Sequence, residues 1–169
     1  MSNSPIKPNK STQPSPTSRP ESKQLDKPPA GEEGITERIV KRITGLTSLA
    51  AYDIRELVQD AEEFGPYLKQ QRLETNQVRK FLDAVNRIKV ILTQKDDSSN
   101  QKDDFSKIEA KVVLLKPKVV YAAARQKQAK PLSDVMCAAI DKVSTAEDFD
   151  RLVQLIEAII AYHKAAGGK

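Results

Sequence analysis

From Ile35 onward, apolar residues recur three and four positions apart, the spacing that aligns them on one face of an α-helix. Ile35, Ile39 and Ile43 form the first such row, and Gly45 closes it. A second helix is expected from Ser48 as its N-cap, with Leu49, Tyr52, Leu57, Ala61 and Phe64 facing inward. Gly65-Pro66 should interrupt that helix, because proline removes a backbone donor and restricts the residue before it. A helical turn then resumes over Tyr67 to Gln71. Thr75 caps a third helix that runs to about Gln94, and its inward row is Val78, Phe81, Val85, Ile88 and Leu92. Lys95 to Asp103 has no apolar residue and reads as a solvated loop.

The fourth helix begins near Asp104 and carries Phe105, Ile108, Val112 and Leu115. Pro117 falls within its pattern and predicts a kink or break before Lys118 to Gln126. Lys130-Pro131 opens a fifth helix with Leu132, Val135, Met136, Ala139, Ile140 and Val143 inward. Thr145 and Asp148 form a capping pair for the sixth. Its stripe is Phe149, Leu152, Val153, Ile156, Ile159 and Ile160, and Gly167 supplies the stop. No segment reads as a strand. The pattern predicts an all-α fold, a compact helical bundle of about five to six helices with a disordered N-terminal tail.

The tail follows from composition. Residues 1–34 hold seven of the ten prolines and no aromatic residue, too little apolar surface to offset the entropy of ordering the segment. Residues 35–169 are expected to form a single helical domain, long enough for one hydrophobic core. The first thirty residues lack the apolar centre of a secretory signal, and no apolar run is long enough to span a bilayer. One cysteine, Cys137, excludes an internal disulfide, so the expected location is cytoplasmic. Of the net charge of +5, the tail holds five basic and four acidic residues, leaving +4 on the rest. That excess permits nucleic-acid binding without requiring it.

Candidate chemistry is sparse. The single histidine, His163, has no partner at metal-ligand spacing and reads as a partly packed side chain near a helix C-terminus. Cys137, between Met136 and Ala138, reads as core packing. The pairs Asp96-Asp97 and Asp103-Asp104 lack the spacing of a calcium loop and read as solvated charge. No phosphate-cradling glycine loop occurs. The expectation is no enzyme, no cofactor, no metal and no small-molecule substrate.

Two basic stretches stand out. Arg79, Lys80 and Arg87 lie opposite the core face of the third helix, with Asp83 among them, which suits either a binding face or an ordinary solvated surface. Lys118, Tyr121 and Arg125 share a face of the following segment, close to Lys116, and Lys111 would join them if the helix ran through Pro117. No acidic residue lies between Lys111 and Arg125. Such a row suits a phosphate backbone, with Tyr121 either stacking or sitting at the edge of the core.

At these residues the chain resembles a known family. Thr75-Asn-Gln-Val-Arg-Lys-Phe81, Leu114 to Arg125, and Phe149 with Leu155 to His163 are similar to segments of the small subunit of type III-A CRISPR (Csm) effector complexes. In order, they cover most of residues 48–168. The resemblance implies a helical subunit repeated along a ribonucleoprotein filament, beside paired crRNA and target RNA, with contacts to backbone rather than bases. Its partners would be RNA, other Csm subunits and copies of itself, with no membrane. Target cleavage would belong to other subunits. The tail and the Lys95–Asp103 loop have no counterpart in the pattern. The competing expectation is a protein–protein scaffold without direct RNA contacts.

Overall fold

The computed structural model describes Met1 and residues 34–93 and 101–167. The expected tail, apart from Met1 and Gly34, and residues 95–100 of the expected loop lie outside the described residues. The described chain is helical throughout, with α1 (Ile35–Gly45), α2 (Ile54–Gln70), α3 (Thr75–Thr93), α4 (Gln101–Val113), α5 (Leu115–Arg125), α6 (Lys130–Ile140) and α7 (Ala146–Ala165). Short 3-10 turns at Leu49–Ala51 and Lys127–Ala129 precede α2 and α6. No strand occurs among the described residues.

Helix α7 organises the core. It buries Phe149, Leu152, Val153, Leu155, Ile156 and Ile159, and packs against α2, α3, α4 and the Leu49–Ala51 turn. Helix α1 packs on α6 and α2, while α5 packs on α6, α3 and α4. Most of the three-and-four rows are buried, from Ile39 and Ile43 through Val78, Val85 and Ile108 to Val135 and Met136, while Ile35, Leu92, Val143 and Ile160 are partly buried against that core. Burial of each such side chain contributes about 1.5–3 kcal/mol, which offsets the modest helix propensity of the β-branched residues.

Four boundaries differ from expectation. Helix α2 starts at Ile54, not near Ser48, because Asp53 caps it by accepting from the N–H groups of Arg55 (2.8 Å) and Glu56 (3.1 Å). Leu49 and Tyr52 are buried all the same, from the turn before it. Helix α2 also continues through Pro66. The preceding Gly65 has no Cβ to meet the proline ring, and burial of Phe64 and Leu68 on either side outweighs the one lost hydrogen bond. Helix α4 begins at Gln101, so the expected loop gives its last three residues to that helix.

The fourth concerns Pro117. The break falls at Leu114, three residues before it, and Pro117 sits in the first turn of α5. There the amide it lacks would have had no intrahelical acceptor, so the proline costs nothing. Lys111 therefore belongs to α4, and the continuous row that would have joined it to Lys118 does not form.

The capping pair is present in full: Thr145 Oγ1 accepts from Asp148 N–H, and the Asp148 carboxylate accepts from Thr145 N–H. Gly167 adopts φ +83°, which stops α7 at no steric cost.

Candidate functional site

Helices α3 and α5 converge on a groove of about 410 Å³. Lys80 of α3 and Lys118, Tyr121 and Arg125 of α5 all line it. The two basic stretches, separate in the sequence, thus meet at one surface. Phe81, Ala84, Val119, Ala122, Ala129 and Leu132 provide its apolar lining, and Gln77 and Gln126 provide amides. Among the described residues no carboxylate lines the groove. Among the described residues no ion pair is formed by Lys80, Lys118 or Arg125, and all three are exposed.

Tyr121 is not an edge of the core. The residue is 64% exposed, and the Arg125 guanidinium lies 5.8 Å from the ring centroid, within cation–π range. A second, polar recess of about 370 Å³ shares Arg125 and Gln126 with the groove and adds Arg72, Lys127, Gln128 and Glu74. Arg72 and Lys127 escaped the sequence reading because neither falls on the helical face shared by Lys118, Tyr121 and Arg125. Only the α2–α3 turn and the 3-10 turn after α5 bring them to one place.

The other expected site residues are placed differently. Lys116 is turned away from the groove and donates to both carboxylate oxygens of Asp141, at 2.6 and 2.8 Å. No acidic residue follows Lys116 closely in sequence, but the end of α6 supplies one. Arg79, Arg87 and Lys111 are exposed but do not line the groove.

His163 is fully buried, not partly packed. Its Nε2 faces the Leu73 carbonyl at 2.9 Å and must carry the proton, so Nδ1 accepts from the Thr75 hydroxyl at 3.3 Å. The ring ties α7 to the α2–α3 turn. Burial lowers its pKa, and Lys69 adds to that, against the bond to Leu73. The folded protein therefore holds His163 neutral while the unfolded chain protonates near the ordinary pKa, about 6.5. Stability should fall as pH drops below that value, towards the lower folded pKa. Because His163 is the sole histidine, melting temperatures at pH 7.5 and 5.5 isolate it. The expected drop should be much smaller in His163→Gln.

Cys137 is half-buried, less enclosed than a core residue. Among the described residues, no three His, Cys, Asp or Glu side chains are grouped so that they could hold a metal ion. Asp96-Asp97 lies outside the described residues. Among the described residues no helix is long and apolar enough to cross a membrane.

Fold and groove together define an all-helical protein that carries an open, cationic, partly aromatic groove on its surface. The chain belongs to the Csm2 Type III-A family, which matches residues 51–169. It is a small subunit of the type III-A Csm effector complex and associates with other subunits of that complex. The segments that carry the resemblance, Thr75–Phe81, Leu114–Arg125 and Phe149–His163, all fall within the match. No curated protein and no solved structure matches the chain.

Proposed function

We propose that this subunit binds RNA without sequence preference through the α3–α5 groove, as a non-catalytic, cytoplasmic component of the effector in antiviral defence. Its RNA partners are the crRNA and target strands, and its copies line up along the ribonucleoprotein filament. One observation carries the RNA reading: Lys80, Lys118 and Arg125 come from two helices to a single groove that, among the described residues, no carboxylate lines. Cations without ionic partners are free to exchange condensed counterions for phosphates, which is the main source of sequence-independent affinity.

The test is salt dependence. Each phosphate contact to single-stranded RNA contributes about 0.7 to the slope of log affinity against log salt. Replacing Lys80, Lys118 and Arg125 together by alanine should lower the slope by about 2 and weaken binding of the full chain about a hundredfold at 0.1 M salt. The loss should be equal for unrelated RNA sequences. Folding should be retained, since exposed cations contribute little to stability and alanine favours helix. Unchanged affinity and slope in a folded variant would remove the groove from RNA binding.

A second reading, a scaffold without RNA contacts, draws on a different observation. Val113, Leu114 and Val120 are 55%, 57% and 51% exposed around the α4–α5 joint, an apolar surface that suits a partner helix. A scaffold held by such contacts would keep its partner as salt is raised.

A further inference from the structure

Phosphate binding accounts for the cations of the groove but not for its floor. A phosphate needs charge and donors and gains nothing from apolar walls. Yet Phe81, Ala84, Val119, Ala122, Ala129 and Leu132 give the same groove an apolar lining. The volume of about 410 Å³ falls in the range of clefts that enclose small ring systems, about 300–1,000 Å³. Gln77 and Gln126 each offer both a donor and an acceptor, as the edge of a nucleobase requires. Tyr121 presents an exposed ring, and Arg125 over that ring restricts its orientation.

We propose that the α3–α5 groove receives one unpaired RNA base, unstacked from its strand, while Lys80, Lys118 and Arg125 hold the adjoining phosphates. This rests on the RNA-binding reading above and adds to it what the floor is for. The base stacks on Tyr121, its edge meets the Gln77 and Gln126 amides, and its buried face lies on the apolar lining. Every base has a π-face, so insertion requires no sequence preference. The polar recess with Arg72 and Lys127 continues from Arg125 and offers the next phosphate a place. A fully paired duplex cannot present a base in this way, so strands with unpaired nucleotides are preferred. The cationic rim favours this anionic occupant over a neutral peptide side chain of similar shape.

The probe is a short oligouridylate carrying one 2-aminopurine, bound to the full chain at low salt. Its emission reports stacking of that base. Binding should change the emission, and an abasic site at the same position should weaken affinity about tenfold. Tyr121→Leu should abolish the change in emission, and folding is not at risk because the ring is exposed. Tyr121→Phe should keep it. Ala84→Leu, which fills the groove without altering charge, should erase the difference between base and abasic RNA and leave the salt slope unchanged.

Equal affinity for base and abasic RNA, with emission unmoved and the alanine triple variant still lowering the salt slope, would overturn base insertion and leave phosphate binding standing. A triple variant with unchanged affinity and slope, or no binding to any of these RNAs, would overturn both. Loss of Ala84→Leu from the assembled complex with RNA affinity intact would assign the floor to a protein segment and overturn the proposal.

Discussion

Replacing Gly65 with valine is expected to destabilise the protein by about 3 kcal/mol or more, enough to lower the melting temperature by roughly 10 °C. A Cβ at this position would lie 2.5 Å from the His163 backbone nitrogen, 2.7 Å from Tyr162 Cβ and 2.8 Å from Tyr162 C. Those atoms belong mostly to the backbone of α7 and cannot rotate away. Any side chain must push α2 off α7, where Phe64 and Leu68 meet the α7 core face. The same displacement would pull His163 from Leu73 and Thr75. Gly45 is the control, since nothing lies within 4 Å of the Cβ it would gain. Gly45→Ala should be neutral or slightly stabilising through helix propensity alone. Equal melting temperatures for wild type and Gly65→Val would show that the two helices do not need this close approach.

Loss of the Asp148 carboxylate is the second large effect. Asp148 is fully buried, and it accepts from Ala50 N–H (2.7 Å), Ser144 N–H (3.0 Å) and Thr145 N–H (3.0 Å) as well as the Ser144 hydroxyl (3.2 Å). One carboxylate thus ties the turn before α2 to the start of α7, across 98 positions of sequence. Alanine would leave these donors without an acceptor and cost about 3 kcal/mol or more. Asparagine keeps one acceptor oxygen and should cost roughly half as much. Burial raises the carboxyl pKa, but the bonds from Ala50, Ser144, Thr145 and Ser48 outweigh it and hold the group below its ordinary range. With the folded pKa depressed, the contribution is complete above about pH 4 and is lost as pH falls through the folded value. Acid unfolding should therefore be steeper below pH 4 in wild type than in Asp148→Asn. Parallel acid transitions in the two proteins would contradict the assignment.

A third polar cluster shows the same dependence on contacts between elements. Arg38 and Arg42 of α1 face Glu63, Glu56 and the nearly buried Asp60 of α2, and Asp60 also accepts from the Tyr52 hydroxyl. Burial, the bond to Asp60 and its charge hold that phenol strongly neutral, so its O–H remains a donor. Tyr52 reads as an apolar position in the sequence. Its hydroxyl instead donates to the buried Asp60 of α2, a partner that periodicity cannot register.

The sequence by itself determined the helices and their inward faces. Burial selects a row at spacings of three and four wherever the chain is helical, so Ile39, Val78, Val85, Ile108 and Ile156 identified themselves. It also determined features confined to one turn, such as the Thr145–Asp148 box and the Gly167 stop, because both partners lie within a few residues. Half of the groove was legible in the same way, since Lys118, Tyr121 and Arg125 share a face of one helix.

The tertiary structure decided what depends on distant neighbours. Pro66 reads as a breaker, yet the packing of α2 on α7 carries the helix through it. Lys116 reads as part of the basic row, yet Asp141, 25 positions away, occupies its ammonium. Lys80 and Arg125 are 45 positions apart, and only the packing of α5 against α3 sets them on one groove with an apolar floor. Electrostatic and apolar complementarity between helices depends on which helices touch, and no single helix encodes that choice.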